Sequence, residues 1–154
     1  MIVNCLEAAR SVVWVSTLVY VMVLLYFVYT DVRERRISNR IVLSAAGIAL
    51  LEAIVTGTWR NDLLGGLIGA ALFVVPRYLY GPEKAGDGDV KLALFLGLWL
   101  GYPSVLSAIL IACLCIALLF SVSVARGVFD RNTTVPMAPF FAIGTFSTLL
   151  WNSI

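Results

Sequence analysis

Six apolar runs, separated by short stretches that hold nearly all of the charge, govern what this chain can fold into. They occupy approximately residues 11–30, 41–57, 63–80, 92–101, 103–125 and 137–153. Crossing the hydrocarbon core of a bilayer takes about 20 apolar residues of helix, and most of these runs come close to that. Composition agrees, with 61% hydrophobic and 13% charged residues over 154 positions and a mean hydropathy of +0.97. Soluble domains carry about 45–50% apolar and about 25% charged residues. Helices satisfy their own backbone polar groups in lipid. The expected fold is therefore all-α: a polytopic membrane helical bundle of about six transmembrane segments, one of them short. No linker, charge block or repeat of about 20–50 residues divides residues 1–154, so a single membrane-embedded domain is expected.

Lys and Arg set the expected orientation. With the N-terminus outside, the inner connections hold Arg33, Arg35, Arg36, Arg40, Arg77, Lys84, Lys91, Arg126 and Arg131, which is nine of the eleven basic residues. Only Arg10 and Arg60 stay outside, as the positive-inside rule favours. The first run is long, is followed by basic residues and has no small-residue cleavage site after it, so it reads as a retained helix rather than a signal peptide. A net charge of +2 is too small to point to nucleic acid.

One run breaks the length rule. From Leu92 to the "GYPS" turn at Gly101 there are ten residues, about 15 Å of helix. If that turn lies near the outer face, Asp89 stands below the inner membrane surface, where an acid is costly and by default a functional candidate. The simpler reading makes Asp89 the cap of the helix that follows.

Other features have structural explanations. Gly65-x-x-x-Gly69 and Gly97-x-x-x-Gly101 put small residues on one helix face and predict close helix packing. Glu52 is expected to snorkel toward the outer surface, and Trp14, Trp59, Trp99 and Trp151 to sit mostly at interfaces. Cys5, Cys113 and Cys115 read as inert thiols: the spacing of the last two does not suit zinc, and the chain has no His.

Two acids remain. Asp31 follows the first run directly and precedes Arg33, Arg35 and Arg36; as a surface acid it would pair with Arg35. Asn39 could cap the second helix. The topology nevertheless places Asp31 and Asp89 at the same end of different helices. Two carboxylates brought close share one proton. The ionised partner can then take a proton from water while the protonated one hydrogen-bonds a scissile carbonyl. Without His, neither a Ser–His nor a Cys–His pair can form. Calcium loops fail on Lys91, Leu92 and Leu98, and a dinucleotide fingerprint fails because Lys91 stands where the third Gly belongs.

The chain resembles the type IV prepilin peptidases, membrane aspartic proteases of the GxGD kind. The first shared element is Asp31 through Arg35-Arg36-Ile37-Ser38-Asn39, with Ser38 where the family has a proline. The second is Gly86-Asp87-Gly88-Asp89-Val90-Lys91, and "VPMAPFFAIG" (135–144) resembles the Pro-rich approach to the family's last span. By position the resemblance implies Asp31 and Asp89 as the catalytic pair. It implies Gly86, Gly88, Lys91 and Asn39 as supporting residues and no catalytic role for Asp87; for Lys91 a snorkelling membrane anchor is an equal alternative. It also implies no metal or other cofactor. The substrate would be a prepilin-like protein, with a basic leader and an apolar helix, cut at the inner face of the cytoplasmic membrane. The chain lacks the long insertion with paired Cys-x-x-Cys motifs after the first span, which implies a peptidase-only form. Competing readings use the same acids differently: an ion-coupled transporter would bind a cation between them, and an assembly subunit would use them as caps and surface pairs. A presenilin-like protease shares Gly-x-Gly-Asp, but residues 136–140 lack its Pro-Ala-Leu run.

Overall fold

The computed structural model describes residues 2–34, 38–80, 87–127 and 135–153. Six helices follow one another: α1 (Ile2–Glu34), α2 (Asn39–Thr56), α3 (Trp59–Tyr80), α4 (Asp87–Leu100), α5 (Ser104–Ala125) and α6 (Ala138–Ser153). Among the described residues, four stretches are long and apolar enough to cross a membrane: Val15–Glu34, Asn39–Thr56, Trp59–Leu79 and Ser104–Ala125. With 14 and 16 residues, α4 and α6 are shorter. The expectation of about six spans, one of them short, is corrected to six helices with four of spanning length.

The short helix is the central one. α4 packs against α2, α3, α5 and α6, and Leu92, Ala93, Phe95, Leu96, Gly97 and Leu98 are all buried. Enclosure of its middle, residues 92–98, by neighbouring helices explains how an undersized helix is tolerated in a bundle of this composition.

Glycine makes the seam between α3 and α4. A β-carbon on Gly65 would lie 2.4 Å from the carbonyl oxygen of Gly97, and one on Gly97 would lie 2.2 Å from that of Gly65. At Gly69 it would meet the Ala93 carbonyl at 2.6 Å. The two backbones therefore touch, as the Gly-x-x-x-Gly spacing predicts. Gly144 does the same for α6 against Ala108 of α5, at 2.1 Å.

α1 is held differently. Its buried stripe runs Tyr20, Leu24, Phe27 and Asp31, a spacing of four, three and four residues that follows one face of a helix. Tyr20 and Phe27 both meet Phe95 of α4 edge-on, at ring-centroid distances of 5.9 and 6.1 Å. Trp99 stacks on Phe95 and tilts against Tyr20, so it belongs to this interior cluster and not to an interfacial belt. Trp59 and Trp151 are exposed.

Glu52 corrects another expectation. It does not extend away from the protein: Ser16 Oγ donates to its Oε1 at 2.6 Å and Tyr20 OH to its Oε2 at 2.5 Å. The acid ties α2 to α1.

Candidate active site

Consecutive antiparallel helices bring the end of α1, the start of α2, the end of α3 and the starts of α4 and α6 to one end of the bundle. Three polar links then hold these ends together, and all involve residues from or beside the motifs.

The first is at Asp31. Asp31 is 9% exposed, so it is not a surface acid; Arg35, the partner expected for it, lies outside the described residues. The acid closes the buried stripe of α1, so the periodicity that buries Phe27 also turns Asp31 inward. Its Oδ2 accepts a hydrogen bond from the backbone N–H of Ala138 at 2.9 Å, across 107 residues of sequence. Ala138 is the first residue of α6. The remaining first-turn donors are accounted for. Pro139 has no N–H, and Phe140 and Phe141 both bond back to the Met137 carbonyl. The Ala138 N–H is the donor left to reach outward. "MAPFF" therefore carried a signal for a residue that sequence reasoning missed: a proline at the second helical position leaves its predecessor's N–H as the outward donor.

The second link joins the two motifs. Lys91 Nζ donates to Asn39 Oδ1 at 2.8 Å. Ser38, not Asn39, is the N-cap residue of α2, and its side chain makes no capping bond. The Asn39 amide is thus given to the other motif rather than to its own helix.

The third is an ion pair between Arg77 at the end of α3 and Asp87 at the start of α4. It gives Asp87 a structural occupation. In a helix turning about 100° per residue, Asp89 leaves α4 some 200° round from Asp87. Asp89 is partly buried and lies inside the first turn, two residues into α4. The reading of Asp89 as a residue that caps the helix from outside is corrected. Both acids lie where a helix N-terminus favours negative charge. Gly88 is partly buried beside Asp89.

Of the residues singled out from sequence, Asn39 and Lys91 are in direct contact, and Asp31 is bound to α6. Gly86 lies outside the described residues, as do Arg36, Ile37, Lys84 and Arg131; so do the side chains of Cys5, Arg10 and Trp14. Among the described residues, no three His, Cys, Asp or Glu side chains gather as a metal site would require.

Comparison with known proteins gives a consistent answer. Residues 18–122 match the model of the Type IV leader peptidase family. Over 129 residues the chain is 36% identical to a protein of Xanthomonas campestris pv. campestris named prepilin leader peptidase/N-methyltransferase, covering 80% of this chain and 45% of that one. A protein of the same name from Pectobacterium carotovorum subsp. carotovorum is 28% identical over 146 residues, covering 89% of this chain and 51% of the relative. The type 4 prepilin-like proteins leader peptide-processing enzyme of an Escherichia coli O78:H11 strain is 33% identical over 96 residues, 60% of this chain and 34% of that one. The chain thus spans about half the length of the first two. No solved structure matches it significantly. The matched region includes Asp31, Asn39, Asp89 and Lys91, and the chain belongs to the type IV leader peptidase family.

Proposed function

We propose that this protein is a membrane aspartic endopeptidase that removes the basic leader from a prepilin-like substrate, with Asp31 and Asp89 as its catalytic pair. The observation that carries this reading is the Lys91–Asn39 bond, which draws the two motif-bearing stretches to one end of the bundle. Asp31 is there already, inward-facing and fixed through one oxygen. Holding Oδ2 on the Ala138 N–H sets the carboxyl plane and leaves Oδ1 for water or the partner acid. Asp89 leaves α4 about 200° round from Asp87, and Asp87 is itself paired with Arg77. One acid takes a proton from water as the water oxygen attacks the scissile carbonyl carbon. The other donates a hydrogen bond to the carbonyl oxygen and later supplies the proton needed by the leaving amine. Gly86 and Gly88, which lack side chains, let an extended substrate backbone approach.

The basic residues concentrate at this end, which favours placing it in the cytoplasm, with the N-terminus outside. A leader is then cut where it joins an apolar helix. The short connection between α1 and α2 supports a peptidase-only reaction, without methylation of the new N-terminus. The test is incubation of purified protein with a prepilin and mass determination of the products. Cleavage at the leader junction by the native protein, and none by Asp31→Asn or Asp89→Asn proteins that remain inserted and folded, is the expected outcome. Retained cleavage in either variant removes the assignment of the pair.

A further inference from the structure

We infer that the groove between α1 and α2 seats the apolar transmembrane helix of the substrate, in contact with the Ser16–Tyr20–Glu52 cluster. This rests on the peptidase reading and adds where the membrane half of the substrate lies. α1 and α2 are neighbours in sequence, yet α2 packs chiefly on α4 and α3, and α1 on α6. The space between them forms two cavities. One, of about 440 Å³, is bordered by Met22, Tyr26 and Ile41. The other, of about 560 Å³, is bordered by Leu51, Val55 and the polar cluster. Val19 borders both, so they form one groove.

Direction and length fit a helix. From Val15 to Tyr26 the groove follows about 16 Å of α1, enough for three turns of a helix lying alongside. It reaches Tyr26 and Ile41 at the motif end, five residues before Asp31 and two after Asn39. A helix in the groove thus delivers its terminus to the proposed acids. Apart from Thr56 at the far end, the lining is apolar except at one level. There Ser16 and Tyr20 occupy two acceptor positions of the Glu52 carboxylate, which has about four. An acyl chain has no donor to offer the others. A helix bearing a hydroxyl at that level does, and an interhelical hydrogen bond of this kind is favoured in a membrane.

The experiment places a photo-crosslinking amino acid at Met22, at Leu51 or, as control, at the exposed Leu114 of α5. Each protein is reconstituted in phosphatidylcholine vesicles with a prepilin of known sequence. Native protein is assayed in parallel for leader removal. Labelling of the prepilin's apolar helix from Met22 and Leu51, at least fivefold above that from Leu114, is expected. Met22→Trp, which narrows the groove, is expected to raise KM at least threefold with kcat within twofold, whereas Leu114→Trp leaves both unchanged. Cleavage by the native protein with equal labelling from all three sites overturns the groove while leaving the peptidase reading standing. So does labelling of lipid or of a second copy alone. Absence of cleavage by the native protein overturns both.

Discussion

Two helix pairs in this molecule are built on opposite plans. α3 and α4 meet backbone to backbone, with Gly65 and Gly97 each filling the space a side chain of the other would need. α1 and α2 stand apart, joined at one level by hydroxyls on Glu52. In the sequence, the Gly-x-x-x-Gly spacings mark α3 and α4 for close packing, and nothing marks the separation of α1 from α2. The difference teaches that register is locked where small residues allow backbones to touch. Where large apolar residues face each other across a polar staple, the pair keeps room for something else. α4, which carries Asp89, belongs to the rigid plan; α1, which carries Asp31, is held by side chains, its aromatic stripe on Phe95 and a few directional bonds.

Gly97→Ala tests the rigid seam and is expected to have the largest effect on the fold. Its new methyl would meet backbone atoms that cannot rotate away, so a loss of about 3 kcal/mol is expected, read as lowered thermal stability in detergent. Unchanged stability would mean that the seam is not close-packed in the native protein.

Ala138→Pro tests the mooring of α1. Proline suits the first helical position, so α6 is expected to form, but the donor to Asp31 is lost. Hydrogen bonds to charged groups contribute about 1.5–3 kcal/mol, which as a barrier change corresponds to about a 13- to 160-fold fall in kcat. Leader cleavage kinetics, with helicity measured alongside by circular dichroism, check it. Normal kcat would show that the bond to α6 does not position the acid.

Glu52→Leu removes the staple between α1 and α2 and leaves two hydroxyls without their acceptor. Membrane hydrogen bonds of this kind are worth about 0.6 kcal/mol each, so a stability loss of about 1 kcal/mol is expected, and Glu52→Gln is expected to recover part of it. The smallest effect belongs to Gly47→Ala on α2, where a β-carbon meets nothing within 4 Å. Helix propensity alone then applies, and a gain of up to about 1 kcal/mol is expected. A loss there would contradict the openness of this side of α2.

Much of the fold could be read from residue order because hydropathy is a local property. The long spans, the undersized fourth helix and the glycine packing all follow from neighbours in the chain. The start of α4 at Asp87, five residues ahead of the apolar run, was hidden because Gly86 and Gly88 look like turn residues. Acidic side chains in a helix's first turn are nonetheless favourable. Partners distant in sequence were out of reach. Nothing local to Glu52 says that it will choose Ser16 and Tyr20 over water, and nothing near Asp31 announces an N–H lying 107 residues away. The motif resemblance pointed to residues 31–39 and 86–91 together, which periodicity could not, and the Lys91–Asn39 bond joins one residue of each stretch.

The brevity of α6 has a consequence for the surrounding lipid. Its 16 residues extend about 24 Å, against about 33 Å for the 22 residues of α5 beside it. Ile143, Phe146 and Leu150 are exposed along it, so the protein's greasy girdle is uneven around its circumference. A bilayer meets such a mismatch by thinning locally. Thinning along the helix whose first residue holds Asp31 would shorten the distance water must travel to reach a buried acid.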